Sequence, residues 1–311
     1  MNRLAGLLLA AAAVTLPLGL NRGAARLDTE GSSTDCADCH AEVVEAWSGS
    51  RHAAARTNLA FVEALKTADN AGWCLNCHAP VAAQADEGIT CAVCHVREGR
   101  VLSAKEPGPD AVDAHPMRVE PSLSGSRLCA GCHEFRAPDV HDRLDQGGAL
   151  QSTFSEWLAW EGDEDCASCH LDGHRFSGRE LMADTVFVQI EDDTLVVSLV
   201  GEVGHAVPTG DPFRRLELRA CMDEGCETVL GRQSFTRLHT FDERTWWPST
   251  DHRLGPVGTG LPQQRSWTPP LEAGFWELRY LLVSPRDAPA LPDDEVFISL
   301  QAGTWPAPPG R

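Results

Sequence analysis

The chain of 311 residues is long enough for one to three domains, and its 42% hydrophobic content is enough for a sizeable buried core. Its formal net charge is -19 and its pI is about 4.9. Nucleic-acid binding needs clustered Lys and Arg, so this charge argues against that class and favours a basic protein partner.

The first 25 residues have the pattern of an export signal. Arg3 gives a basic start, an apolar run extends from Leu4 to Leu20, and small residues occur at Gly23 and Ala25. We expect cleavage after Ala25 and a periplasmic or otherwise exported protein. The alternative is an uncleaved membrane anchor, because the run is at the short end of what spans a bilayer. No later segment is comparably apolar, so the mature body is expected to lack a membrane span.

Residues 26–182 carry one short motif, C-x-x-C-H, five times, and it uses ten of the twelve cysteines. The copies are Cys36-Ala-Asp-Cys39-His40, Cys74-Leu-Asn-Cys77-His78, Cys91-Ala-Val-Cys94-His95, Cys129-Ala-Gly-Cys132-His133 and Cys166-Ala-Ser-Cys169-His170. An exported protein does not keep free thiols, so each of these cysteines needs a covalent or metal partner.

C-x-x-C-H is the attachment sequence of haem c. The two thiols form thioethers with the two porphyrin vinyl groups, and the adjacent histidine is held beneath the iron as the proximal ligand. The sequence therefore predicts five covalent haems, with His40, His78, His95, His133 and His170 as proximal ligands.

Three other uses of paired cysteines explain less of the pattern. Ten cysteines do not divide evenly into four-cysteine zinc sites, and zinc gives no reason for a histidine after every second cysteine. A disulfide framework needs no histidine either, and a redox dithiol usually occurs once, on a thioredoxin-like pattern.

The haem-motif segment has little alternating strand pattern. Helices are predicted at "AEVVEAW", at "HAAARTNLAFVEALKTA" and at "STFSEWLAW", and a Pro- and Gly-rich loop at "EPGPDAVDAHP". Such a segment is poor in regular structure, so we expect the porphyrins themselves to form most of its apolar core.

Residues 183–311 have a different pattern and predict an antiparallel β-sandwich of about six to eight strands. The predicted strands are "TVFVQIE", "TLVVSLV", "RLELRAC", "ETVLGRQSF", "WELRYLLV" and "EVFISLQ". Cys221 and Cys226 have no following histidine, and the turn-like residues between them suggest a local disulfide. The overall class is α+β, and the closing "TWPAPPGR" is expected to be a loose end.

Several segments resemble the cytochrome c-554-type multihaem cytochromes. "CADCHAEVVEAWSGSRHAAA" resembles their opening motif with its following Trp and Ser-x-His, and "CLNCHAP" with "GITCAVCH" resembles their closely spaced second and third motifs. "LCAGCHEF", "EWLAW", "CASCH" with "HRFSG", and "GHAVPTGDPFRRLEL" resemble relatives with a β-rich C-terminal domain. The resemblance implies a periplasmic or surface electron carrier. Unlike the more distant pentahaem nitrite reductases, this chain has no motif that ends in Lys.

Seven histidines outside the motifs are candidates for the distal face of the irons. His174 follows His170 by four residues, so on a helix both rings project the same way, and His174 would have to close a neighbouring haem. His115 is a second candidate, with Met117 as a rival thioether ligand. The family resemblance implies His52, through its Ser-x-His, and His205.

His141 is a weaker candidate, and His239 and His252 are expected to be surface histidines. The distal candidates are thus His52, His115, His141, His174 and His205. We expect fewer distal histidines than irons, which leaves one haem for Met, water or an open position.

Two functions compete. An electron carrier needs mostly bis-histidine haems packed closely together, and its acidic surface would attract a basic redox partner. A haem oxidoreductase acting on a nitrogen or sulfur oxide, or on peroxide, needs one open iron with proton donors nearby. No catalytic constellation is evident in the sequence of the β-domain, and we expect the carrier. A third possibility is that the β-domain docks the protein into a larger complex.

Overall fold

The computed structural model describes residues 32–68, 71–137, 148–270 and 272–305. The predicted export signal, His141 and all but the first two residues of the closing Pro-rich end lie outside these residues. None of the helices in the described ranges is long and apolar enough to cross a membrane.

Short helices dominate the part of the chain that carries the motifs. The α-helices are α1 (Ser33–Ser48), α2 (Leu59–Leu65), α3 (Ala71–His78), α4 (Cys91–His95), α5 (Pro109–Ala114), α6 (Arg127–His133), α7 (Thr153–Ala159), α8 (Cys166–His170), α9 (Met182–Thr185) and α10 (Asp293–Val296). Single 3₁₀ turns occur at Ala82–Glu87, Pro121–Ser124, Asp172–His174, Arg179–Leu181 and Ala288–Ala290. Four of the five motifs end a helix at their histidine, whereas α1 continues past a kink at His40.

Two of the predicted helices are confirmed and one is shorter than predicted. "AEVVEAW" lies in α1 and "STFSEWLAW" contains α7. In the segment 52–68 only α2 is helical, because residues 51–57 form successive turns and Asn58 caps the helix through its side chain.

The loop predicted at "EPGPDAVDAHP" is wrong, since this segment contains α5. Pro109 occupies the first position of that helix, where its fixed φ is suitable and its missing N–H has no helical partner. The Pro- and Gly-rich composition therefore marked the start of a helix rather than a loop.

Short strands β1 to β5 lie among the helices, and strands dominate from Val186, where β6 begins. The strands are β1 (Val96–Arg97), β2 (Arg100–Ser103), β3 (Met117–Val119), β4 (Glu134–Arg136), β5 (Ala149–Ser152), β6 (Val186–Glu191), β7 (Thr194–Leu199), β8 (Arg215–Cys221), β9 (Val229–Phe235), β10 (Arg237–Phe241), β11 (Trp246–Asp251), β12 (Gln264–Trp267), β13 (Phe275–Leu281) and β14 (Phe297–Thr304). The predicted strands correspond to β6, β7, β8, β9, β13 and β14, whereas β10, β11 and β12 were not predicted.

Two antiparallel sheets pack face to face. One has the strand order β12-β7-β6 and the other the order β14-β13-β8-β9, with Leu218 opposite Leu278 where β8 and β13 pair. Alternate residues of both sheets point inward, so Val197, Phe235 and Tyr280 belong to one buried cluster. The predicted α+β class is confirmed, with the helical part first and the strands after it.

The haem-motif segment has few buried apolar side chains of its own. Among the described residues before Met182, the buried apolar side chains are those of Ala79, Val81, Ala92, Leu102 and Ala137. In the sandwich, by contrast, the buried cluster includes residues from both sheets. Cys221 and Cys226 lie at disulfide distance, with their Cα atoms 5.0 Å apart, at the turn that follows β8.

Candidate haem-binding site

Four motif histidines each face a histidine from outside the motifs. The ring centres are 6.5 Å apart for His40 and His115, 6.2 Å for His52 and His133, 6.2 Å for His95 and His174, and 6.0 Å for His170 and His205. The rival Met117 lies in β3, while His115 is the residue that faces His40.

These separations fit two imidazoles on opposite sides of one metal ion. A metal–imidazole bond is about 2 Å long and the ring centre lies about 1 Å further along, so two trans ligands have ring centres about 6 Å apart. Within the described ranges, no three or more His, Cys, Asp or Glu side chains gather as a metal site of protein ligands alone would require. The donor set therefore suits an ion whose remaining ligands come from a porphyrin.

Hydrogen bonds at Nδ1 fix the rings of several motif histidines. Nδ1 of His78 donates to the carbonyl of Ala55 at 2.9 Å, and Nδ1 of His170 donates to the carbonyl of Ser177 at 2.6 Å. Nδ1 of His95 bonds the carbonyl of Leu102 at 3.3 Å. A proton at Nδ1 leaves the Nε2 lone pair available for iron.

Burial favours the neutral form of three of the facing imidazoles, those of His52, His133 and His205. It lowers the pKa of His52 to about 4 and that of His133 to about 4, the latter also through repulsion by the charge that His52 carries when protonated. Burial likewise lowers the pKa of His205. The neutral ring is the form that ligates a metal, so these environments favour ligation over protonation near neutral pH.

His52 is held in place by a close backbone contact with the segment before the third motif. Its carbonyl accepts the N–H of Ile89 at 2.9 Å, and Nε1 of Trp47 donates to the carbonyl of Ile89 at 2.8 Å. Gly88 has a positive φ of 70°, and a Cβ there would lie 2.5 Å from the His52 carbonyl oxygen. The turns at 51–57 and a glycine that allows this approach thus present the His52 ring to His133.

His78 differs from the other motif histidines. No histidine faces it across such a gap among the described residues, and the ring of Phe61 stacks on it at 3.9 Å. Burial lowers the pKa of His78, with Arg214 acting in the same direction and Asp211 in the opposite one. The guanidinium of Arg214 donates to the hydroxyl of Tyr280 at 3.0 Å.

The motifs pack against one another through their first cysteines. The backbone N–H of Cys91 donates to Ser33 Oγ at 3.3 Å, and that of Cys166 donates to Ser126 Oγ at 3.0 Å. Each serine is buried and lies three residues before the first cysteine of its own motif. The first motif therefore adjoins the third, and the fourth adjoins the fifth.

Contacts between cysteine side chains extend this series. The side chains of Cys36 and Cys91, of Cys77 and Cys132, and of Cys129 and Cys166 lie next to each other. Cys94 of the third motif lies near both cysteines of the fourth. The motifs thus follow one another in space in the order first, third, fourth and fifth, with the second beside the fourth.

The remaining predicted residues are placed as follows. The ten motif cysteines are free of disulfides, and Cys39 and Cys169, at the two ends of the series, are exposed. Nε2 of His239 lies 3.4 Å from the Ala149 carbonyl, and His252 is exposed. His141 lies outside the described residues.

Sequence reasoning missed several residues that shape these sites. Gln151 contacts Nδ1 of His133 at 3.1 Å, and Glu156 and Arg253 form an ion pair beside the loop of His205. The repeated Ser-x-x-Cys spacing at Ser33 and Ser126 was a detectable signal, whereas a single Gln or Glu gives none.

Residues 35–96 match the family model described as "Cytochrome c554 and c-prime". The chain is similar to the crystal structure of a penta-heme cytochrome c552 from Thermochromatium tepidum, with a TM-score of 0.65, 21% identity and coverage of 88% of this chain and 97% of that one. The chain has the fold of a multihaem c-type cytochrome. No curated protein sequence matches it. The resemblance seen in the opening motifs is confirmed, and the residues fit haem c as a cofactor.

Proposed function

We propose that this protein is an exported electron carrier with five covalent haems, of which four are bound by two histidines each. The observation that carries the proposal is the set of four facing histidine pairs, whose ring centres are 6.0 to 6.5 Å apart. Haem c, when bound, supplies reversible one-electron chemistry.

The residues contribute attachment, ligation and packing. The paired cysteines anchor the group so that it cannot be lost from an exported protein, and the histidine pairs occupy both axial positions. Two strong axial ligands leave no position for substrate, keep reorganisation small and give lower potentials than a His/Met pair. Each of these properties suits a carrier.

The packing of the motifs supports a route for electrons through the protein. We infer a path along the first, third, fourth and fifth motifs, because contacts at their cysteines or at the serines before them link each motif to the next. The exposed Cys39 and Cys169 make the first and fifth motifs the accessible ends of the path. A partner with a basic surface fits the net charge of -19.

Intact mass and electron paramagnetic resonance (EPR) test this proposal together. The mature protein should exceed its polypeptide mass by five haems, and its oxidised form should show four low-spin ferric centres. A lower haem count, or a majority of high-spin centres, would contradict it.

A second function is favoured by the environment of His78. We propose that a small ligand such as a nitrogen or sulfur oxide, or peroxide, binds the haem of the second motif. No histidine of the described residues faces His78, and Asp211 and Arg214 are the charged groups that act on it. An arginine can hold an anionic ligand and a carboxyl group can supply a proton.

This second function requires one high-spin ferric haem whose spectrum changes when cyanide, nitrite or hydroxylamine is added. Replacing His141 by Ala distinguishes an open haem at the second motif from a haem whose distal ligand is His141. If the haem is open, H141A leaves the low-spin count at four, whereas a fall from five to four identifies His141 as its distal ligand and removes the candidate.

A further inference from the structure

A buried carboxylate lies where the haem-motif segment meets the sandwich. Glu156 projects from α7, and its side chain is 11% exposed. Its Oε1 accepts hydrogen bonds from Nη2 of Arg253 at 2.6 Å and from the hydroxyl of Ser152 at 2.8 Å. The guanidinium of Arg237 lies 3.9 Å away. Two arginines from the sandwich side thus lie beside one carboxylate from the haem side, and Arg253 also pairs with Asp251 at 2.7 Å.

The other oxygen of Glu156 holds the loop that carries His205. Oε2 accepts the backbone N–H of Ala206 at 3.2 Å and the hydroxyl of Thr209 at 3.4 Å. Ala206 directly follows the histidine whose ring faces His170 at 6.0 Å. A single carboxylate therefore fixes the loop at both ends of a four-residue stretch.

Arg253 holds the same loop from the sandwich. Its Nη1 donates to the carbonyl of Pro208 at 3.2 Å, while its Nη2 donates to Glu156. Next to these contacts, Val207 and Leu254 exchange both backbone hydrogen bonds, at 2.8 and 3.0 Å. The loop is thus tied to the sandwich through its backbone and to α7 through Glu156.

We infer that Glu156 is the positioning residue that holds His205 on the iron of the fifth haem. The inference rests on the proposed pairing of His170 and His205. His205 lies on a loop that is tied to the sandwich, whereas its partner His170 lies in the haem-motif segment. The His205 ring therefore reaches the iron only while the distance between this loop and α7 is kept. Glu156 sets that separation, and Arg253 orients the carboxylate.

The chain offers a matched control in Glu277. Its side chain is 10% exposed and it also pairs with two arginines, Arg219 at 3.3 Å and Arg279 at 2.7 Å. It lies on β13, and its contacts are with sandwich residues. E277A therefore removes a buried, doubly paired carboxylate without touching an axial ligand.

The test compares the holoproteins E156A, E156Q and E277A by EPR of the oxidised form and by a redox titration. We expect E156A to convert one haem equivalent from low to high spin, or to raise the midpoint potential of one haem. E156Q keeps one oxygen acceptor, so we expect a smaller fraction of the same change. E277A should lower the thermal midpoint and leave every haem signal unchanged.

Two outcomes distinguish a failure of the role proposed for Glu156 from a failure of the pairing of His170 with His205. If H205A converts one haem to high spin while E156A and E156Q keep all the low-spin signals and all the midpoint potentials of the native protein, Glu156 is not a positioning residue. If H205A itself changes no spin state, the pairing of His170 with His205 fails. Should E156A not fold, E156Q alone decides the question, because it is nearly isosteric with the native residue.

Discussion

Gly88 offers a quantitative test of how His52 is held opposite His133. We expect Gly88→Ala to destabilise the protein and to weaken this histidine pair. The added Cβ would lie 2.5 Å from the His52 carbonyl oxygen and 2.6 Å from that of Ala53, and both contacts are with backbone atoms. The segment carrying His52 must therefore move.

The magnitude has two parts. Gly88 has φ 70° and ψ -125°, outside the left-handed helical region, and an alanine there costs about 1 to 3 kcal/mol relative to glycine. The displaced backbone also loses the 2.9 Å bond from the Ile89 N–H to the His52 carbonyl, which costs about 1 kcal/mol, and moving the packed segment adds about another 1 kcal/mol.

Gly99→Ala is the control, since Gly99 has a nearly identical φ of 69° and no atom within 4 Å of the added Cβ. Both variants place an alanine at a positive φ, and only G88A adds the collision with backbone atoms. We expect G88A to unfold with a free energy about 2 kcal/mol below that of G99A, or a thermal midpoint lower by roughly 4 °C.

The assay is thermal unfolding followed by the haem absorbance, combined with EPR at a temperature where both variants are folded. G88A should gain high-spin signal from the haem of the fourth motif, and G99A should not. Equal midpoints for the two variants, with all low-spin signals retained in both, would refute the argument that Gly88 positions His52.

Three further outcomes follow from the sites. His115→Met should keep the haem of His40 low-spin and raise the midpoint potential of that haem, because a thioether stabilises ferrous iron. An unchanged potential in a redox titration would exclude His115 as the distal ligand of that haem. Replacing Cys221 and Cys226 by Ser should cost about 2 kcal/mol of stability with no change in the haem spectra, and a changed spectrum would mean that the sandwich turn reaches a haem. Electron transfer to a basic partner should slow as ionic strength rises in stopped-flow measurements, and a salt-independent rate would contradict a charge-steered encounter.

The sequence predicted what depends on local chemistry. The five motifs predict the attachment residues, because thioether formation fixes their spacing, and this stays a prediction. Alternation in "RLELRAC" predicted β8 with its observed bounds. Segments whose conformation depends on distant contacts were missed. The helix predicted over 52–68 is interrupted because His52 must face His133, which is 81 positions away in the chain. Such pairs, like the role of Glu156, depend on the tertiary arrangement and leave no local pattern.

The serine contacts at Ser33 and Ser126 follow one pattern. In both cases a serine before one motif accepts the N–H of the first cysteine of another motif. In the motifs that donate this N–H, the histidine, His95 or His170, bonds a carbonyl seven residues later. The two motif pairs are thus joined in the same way, so substituting either serine would loosen a pair of motifs rather than one motif alone.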